Sequence, residues 1–299
     1  MANVLLSEAE KTYILHGIQK DYRNDGRTNS DYRPMELETD VVVHAMGSAR
    51  LRLANTDILV AVKADIDVPL PDRPKEGRLE FFVDCSANAT PDFEGRGGEE
   101  LATEIANTLS KAYLSQQAFD LSPLCILARL QCWKLYIDIL ILECGGNLFD
   151  AVSLAVKAAL SNTKLPRVSS AELDGGAMDI ILTDDPYDCE RLNIQSAPLL
   201  VTVCKIGDHS VIDPSAEEEE CSAISVVVGV SYSKEGEGSI TSIRTSGEGS
   251  FHADTLNKSL DLGVSAGAYL NNALMAALKS DEEKNTKPLG EKDIFGFLK

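Results

Sequence analysis

The sequence predicts a mixed fold, between α/β and α+β, in two β-rich halves organised around one strand–turn–helix stretch. Three features of the 299 residues carry this reading. Residues 130–160 open as a strand: Trp133, Leu135, Ile137, Ile139 and Ile141 share one parity, while Tyr136 and Leu140 on the other indicate two partly covered faces. Gly145 and Gly146 break the strand, because glycine takes backbone angles that other residues resist, and apolar residues then return at helical spacing over 149–160. Strands and helices alternate before this stretch, and a second β-rich section with a long final helix follows it.

In chain order, residues 7–22 read as a helix, since Ser7 and Glu10 form a capping box and Ile14 and Ile18 lie one turn apart. A polar turn and an extended segment ended by Pro34 lead to strands expected at 36–44, 49–54 and 57–69. A loop bearing Arg73, Lys75 and Arg78 runs into a strand at 79–87. Residues 99–116 form an amphipathic helix with Leu101, Ile105, Leu109 and Ala112 on one face. Gly95-Arg96-Gly97-Gly98 before it resembles a phosphate nest. Glu99 and Glu100, however, already satisfy the positive end of the helix dipole, which favours a flexible helix start. Residues 161–166 read as a linker. Strands are expected at 177–183, 199–206, 210–213, 223–231 and 239–246, the last two as a hairpin across 234–238. The four acids at 217–220 read as a solvated loop or helix start. A final helix at 253–278 precedes a polar, flexible tail over 280–299. Its apolar cluster at 294–298 suits a docking peptide and tail packing equally.

Composition narrows the function. The net charge of −19 argues against binding nucleic acid over the whole surface, because phosphate contacts dominate that affinity; any such role must use a local patch or basic partners. No apolar run is long enough to span a membrane, and residues 1–11 do not read as a secretory signal. Seven scattered cysteines without a C-x-x-C pair suit free thiols in a reducing compartment. His16, His44, His209 and His252 have no His or Cys at ligand spacing, so neither metal nor cofactor is expected.

A strand, a glycine turn and a helix N-terminus commonly bind phosphate, since free N–H groups converge there. Here the turn reads Gly145-Gly146-Asn147-Leu148-Phe149-Asp150, with no basic or hydroxyl side chain.

At this point the chain resembles the ribonuclease-PH-type family. The resemblance rests on Asp25-Gly26-Arg27, the strand pair over 47–57, Gly95-Arg96-Gly97-Gly98-Glu99-Glu100, Gly146-Asn147-Leu148-Phe149-Asp150-Ala151, and the strand at 199–207 leading into Val211-Ile212-Asp213-Pro214 and the acids beyond. It covers residues 25–278, and within the family it is most similar to the non-catalytic ring subunits of the RNA exosome. It implies a ribonuclease PH-like fold of two βαβ-type, ribosomal-protein-S5-like halves. The implied divisions are a helix and arm at 1–30, a first half at 31–166, a second half at 167–279 and the tail at 280–299. It further implies a six-membered ring around single-stranded RNA, with other ring subunits, RNA-binding cap subunits and associated exoribonucleases as partners. Nucleus, nucleolus and cytoplasm are the implied locations.

Active relatives cleave RNA with inorganic phosphate. They place a hydroxyl residue and an arginine after the glycines, and two aspartates six apart near an acidic turn. This sequence has Asn147 and Leu148 at the first pair of positions, a degenerate phosphate site. It has Glu219 and Ser225 at the second, a degenerate acidic site. The leading expectation is therefore a scaffold subunit without catalysis, and the alternative an active phosphate-dependent 3′-to-5′ exoribonuclease. A third reading, an unrelated ligand on the same fold, lacks support from any G-x-x-x-x-G-K-[ST] loop. Arg73, Lys75, Arg78 and Arg96 read as one cluster of candidate RNA-binding residues, with solvated loop charge as the competing explanation.

Overall fold

The computed structural model describes residues 5–115, 118–172, 178–183, 185, 188–233 and 238–285. Helix α1 (Glu8–Gln19) is followed by strands β1 (Met35–Thr39), β2 (Gly47–Leu53), β3 (Thr56–Asp67) and β4 (Arg78–Cys85). Then come α2 (Glu99–Leu114), β5 (Cys125–Leu127), β6 (Gln131–Glu143) and α3 (Leu148–Asn162). The first half ends with β7 (Lys164–Pro166); the second contains β8 (Val168–Glu172), β9 (Met178–Leu182), β10 (Cys189–Arg191), β11 (Leu199–Ile206) and β12 (His209–Ile212). It closes with α4 (Ala216–Cys221), β13 (Ile224–Tyr232), β14 (Gly238–Ser246) and α5 (Ala253–Asn285).

Two sheets sandwich the central helices. The first has the order β1-β2-β3-β6-β4, with β5 on the start of β6; β6 is antiparallel to β3 and parallel to β4. The odd-parity residues of β6 from Leu135 to Ile141 are at most 2% exposed, whereas Asp138 on the other parity is exposed and Tyr136 and Leu140 are half-buried. Helices therefore cover one face of this sheet and leave the other partly open. The second sheet, β12-β11-β13-β14, is antiparallel throughout.

Helix α3 joins the two sheets, and every residue from Leu148 to Leu160 is buried. Toward β11, Ser153 Oγ accepts the Leu200 N–H at 3.0 Å, and Thr202 donates to Asp150 at 2.7 Å. Lys157, wholly buried on the same helix, donates to the Ala197 carbonyl at 2.6 Å and to Asn271 of α5 at 2.8 Å. Arg244 of β14 reaches Thr108 of α2 at 3.0 Å. Helix α5 covers the far face of the second sheet, where a Cβ on Gly267 would meet the Tyr232 hydroxyl at 2.5 Å. The small residue allows that close approach.

Several boundaries differ from the sequence pattern. The first strand stops at Thr39, because Asp40 turns left-handed (φ 60°) and Val43 is left 87% exposed. Valines there have strand propensity but no pairing register. The expected linker at 161–166 is the end of α3 followed by strand β7, paired with β10, and β8 pairs with β9 where the sequence pattern predicts no strand. Of the two readings of the acids at 217–220, the helix start is the one observed: all four lie in α4, capped by a Ser215–Glu218 box, with Glu218 buried and not solvated. The last helix continues past 278 to Asn285, so residues 280–285 are helical, not tail; the 234–237 turn and the 294–298 cluster lie outside the described residues. The Ser7–Glu10 capping box is present, and α1 packs Ile14 and Ile18 on Ile206 and Val211 of the second half.

Ile137→Ala is expected to cost about 2–5 kcal/mol, since the residue is fully buried at the centre of β6, while Val43→Ala should stay within about 0.5 kcal/mol. Urea denaturation of both variants checks the assignment of this strand as the core.

Candidate functional site

The glycine turn between β6 and α3 is the meeting point of three chain segments. Gly146 (φ 95°) and Asn147 (φ 54°) are both left-handed, and Asp213 (φ 48°) faces them from the second half in the same backbone region. Asn and Asp tolerate that region better than most residues, which helps explain the choice of side chains. A Cβ on Gly146 would meet the Ala216 nitrogen at 2.5 Å, and one on Gly145 would meet Asn55 Cβ at 2.6 Å. The glycines thus allow the chain to pack on itself, and the start of α4 lies directly over the turn.

The segment between α1 and β1 supplies three arginines. Arg33 grips Asp213 side-on, with Nε to Oδ2 at 2.9 Å and Nη2 to Oδ1 at 2.8 Å, and its backbone N–H donates to Oδ2 at 2.8 Å. Its remaining donors reach the carbonyls of Gly145 (2.9 Å) and Gly146 (3.1 Å). Arg27 adds a bond to Asp213 at 3.0 Å. Arg23, only 1% exposed, pairs with Glu218 through Nε (2.8 Å) and Nη2, and caps the carbonyls of Ile212 and Asp213. Asp213 also accepts from Asn147 Nδ2 at 2.7 Å, and Glu219 accepts the Asn147 backbone N–H at 2.8 Å. Asp150, fully buried on α3, accepts from the Tyr32 hydroxyl at 2.9 Å as well as from Thr202.

These surroundings split the carboxylates. Burial pushes Asp213 upward, but the Arg33 bonds and charge outweigh it and hold the carboxyl below its ordinary range. Burial dominates for Asp150 and Glu219 and pushes each up to about 7, despite the hydrogen bonds that favour their ionised forms. Burial also lowers Lys157 to about 7.

Chemically, the turn presents no cation of its own. Leu148, where the resemblance implies arginine, is 6% exposed and packs in the main core. Ser225 lies on β13, opposite Cys204, and its hydroxyl donates to the Ser246 carbonyl at 3.4 Å; it makes no hydrogen bond to Glu219. An open cleft of about 460 Å³ beside the turn is lined by residues including Arg27, Arg33, Asn55 and Glu217. Among the described residues, no group of three or more His, Cys, Asp or Glu is arranged to hold a metal ion, and no helix is long and apolar enough to cross a membrane.

The four basic residues do not form one cluster. Arg73 donates to the carbonyl of Leu114, the last residue of α2, at 3.1 Å, whereas Arg96 precedes the first turn of the same helix. Sixteen helical residues separate the two ends, about 24 Å. Arg96 is 91% exposed, on the same end of the sheet as the glycine turn. Arg73, Lys75 and Arg78 occupy the opposite end, where Arg78 pairs with Asp67 at 2.9 Å and Glu80 at 3.4 Å. A Cβ on Gly97 would overlap the Asp92 carbonyl oxygen at 1.8 Å, so that glycine serves a tight turn.

The architecture and this site can now be set beside known proteins. Residues 31–166 match domain 1 of the 3′ exoribonuclease family and residues 196–266 match domain 2. The exosome complex component Rrp42 of Sulfurisphaera tokodaii is 34% identical, over 89% of this chain and 93% of that protein. The chain belongs to the 3′ exoribonuclease family. Rrp42 of Methanothermobacter thermautotrophicus is 32% identical, over 87% of this chain and 92% of its own. A chain of the Archaeoglobus fulgidus exosome with RNA bound to the active site superposes with a TM-score of 0.71 at 28% identity, covering 88% of this chain and 96% of that one. A chain of an archaeal exosome core gives 0.68 at 26%, covering 89% and 96%. The fold expected from the sequence, ribonuclease PH-like and mixed α/β, is the fold observed.

Within this family member, proton linkage at the junction sets a pH dependence. Asp150 and Glu219 titrate near 7 when folded and near 4 when unfolded, so between about pH 4 and pH 7 the folded chain holds more protons. Their contribution to stability is present below that window and lost as pH rises through it. Asp213 acts oppositely, and only below about pH 4. Urea unfolding at pH 5 and pH 7.5 should show a smaller loss of stability with rising pH in the Asp150→Asn, Glu219→Gln double variant than in the unaltered protein. Equal pH dependence of the two would contradict the assignment.

Proposed function

We propose that this chain is a non-catalytic, RNA-path-lining subunit in the hexameric ring of an RNA exosome, supporting 3′-to-5′ RNA processing and degradation carried out by others. The observation that carries the reading is the Glu219 carboxylate on the Asn147 N–H, at the point where a phosphate-binding turn would offer a free donor. Phosphorolysis requires two anions, the attacking phosphate and the RNA backbone, to meet in one site. With Leu148 in the core, Arg33 committed to Asp213 and Ser225 in place of a second acid, that repulsion is uncompensated. The naming of the relatives as exosome components supports the ring assignment.

In this reading the ring-forming body spans residues 31–279, divided near 167, with residues 1–30 as the helix and arm. Other ribonuclease PH-like subunits flank it. RNA-binding cap subunits and associated exoribonucleases complete the assembly, located in the nucleus, nucleolus and cytoplasm. RNA contacts fall in two places: Arg73, Lys75 and Arg78 at one end of the first sheet, and Arg96 at the other.

The test is release of nucleoside diphosphates from labelled RNA in the presence of phosphate and magnesium. Removing one electrostatic group of this kind commonly costs about 10²–10³-fold, so a site lacking two or three should show no detectable rate. Robust diphosphate release by the purified chain, free of partner nucleases, would overturn the scaffold reading in favour of an active exoribonuclease.

A further inference from the structure

Strand β1 and helix α5 flank an open groove of about 380 Å³. Its floor is apolar: Leu154 of α3 and Leu274 of α5 are 2% and 6% exposed. Its walls are apolar too, but they meet solvent. Met35 and Leu37 of β1 are half-buried, and Ala273 and Ala277, one turn apart on α5, are exposed. Alanine at both places leaves room that a larger side chain would take up. Strand β1 is the edge of the first sheet, so among the described residues no further strand closes that side. Thr39, at the end of β1, donates to Asp281 and ties α5 to the strand there.

The sequence carries one apolar cluster that no described element takes up, Ile294-Phe295-Gly296-Phe297-Leu298. Along an extended chain alternate residues share a side, so Phe295 and Phe297 fall together. A cavity of about 150 Å³ accepts one benzene ring, which gives this groove room for two. The reach is sufficient. Helix α5 is described to Asn285, and Ala277 and Ala273 lie about 12 and 18 Å back along it. The eight residues 286–293 span up to about 26 Å when extended. Pro288 disfavours helix at the residue before it, and Gly290 permits a sharp reversal. So short a tether gives the cluster a roughly millimolar effective concentration at its own groove, which favours it over the same cluster of a second copy.

We propose that residues 294–298 dock into the groove between β1 and α5 of their own chain, with Phe295 and Phe297 seated between Met35 and Ala277. The driving force is the apolar surface that both partners remove from water. This docking does not depend on the RNA-path reading above.

The experiment is NMR of the full chain, labelled at the methionine methyl groups and the backbone nitrogens. Ring currents from Phe295 and Phe297 should displace the Met35 methyl signal. Phe295→Ser with Phe297→Ser, both beyond α5, should remove that displacement. Met46, in the loop before β2 and outside the groove, should not move. Ala277→Glu puts a charge into the groove from an exposed position, so it should free the segment and lower the heteronuclear NOE of the Gly296 amide. Tenfold dilution should change none of these signals. A Met35 signal indifferent to the two serines overturns the proposal, as does a Gly296 amide already mobile in the unaltered chain. A displacement lost on dilution also overturns it, and assigns the groove to the segment of a second copy.

Discussion

The Arg33–Asp213 pair is the interaction on which the arrangement of this molecule depends. It joins the segment before β1 to the second half, and its spare donors hold both glycine carbonyls of the turn in the first half. Taking two charges out of water is expensive, and mutual attraction alone rarely repays it. Here the carboxylate accepts from Arg33 three times, from Arg27 and from Asn147, so little of its hydrogen-bonding capacity goes unused. The left-handed backbone at Asp213, Gly146 and Asn147 is held in place by this same set of bonds.

The consequence for function is electrostatic. A helix N-terminus at a glycine turn attracts anions, and in this chain the attraction is met by the protein's own carboxylates. Glu219 takes the N–H of Asn147, Asp213 takes its side chain, and α4 lies over Gly146 too closely for even a methyl group. A chain carrying −19 overall thus uses several of its acids internally, against three arginines of the segment before β1. These bonds fasten three segments of the chain together.

Much of the fold was legible because its core elements carry strong local periodicity. The parity of Trp133 to Ile141 and the apolar spacing after Phe149 identify β6 and α3, and the observed burial agrees with both. The junction was only half legible. Asn147, Leu148, Glu219 and Ser225 stood out through what they lack, but Arg23, Arg33, Asp150 and Asp213 did not, because their partners lie up to 195 residues away and polar residues in turns carry no periodicity. The run of acids at 217–220 was legible as a helix start but not in its burial, for the same reason: charge patterning predicts solvent, while Glu218 is turned inward by Arg23. The basic residues misled differently. Nearness in sequence grouped Arg73 with Arg96, and the intervening strand β4 carries them to opposite ends of a sheet.

The two halves are joined by α3 and by this charged junction. The central claim is that Glu219, and not inorganic phosphate, occupies the Asn147 N–H at the glycine turn. The most direct measurement is a phosphate titration of the isotopically labelled chain, following the backbone amides of Gly146, Asn147 and Leu148 by NMR. The filled junction predicts no saturable shift at these amides up to millimolar phosphate. A saturable shift confined to them, lost on Asn147→Gly, would show that phosphate displaces Glu219 and would contradict the account.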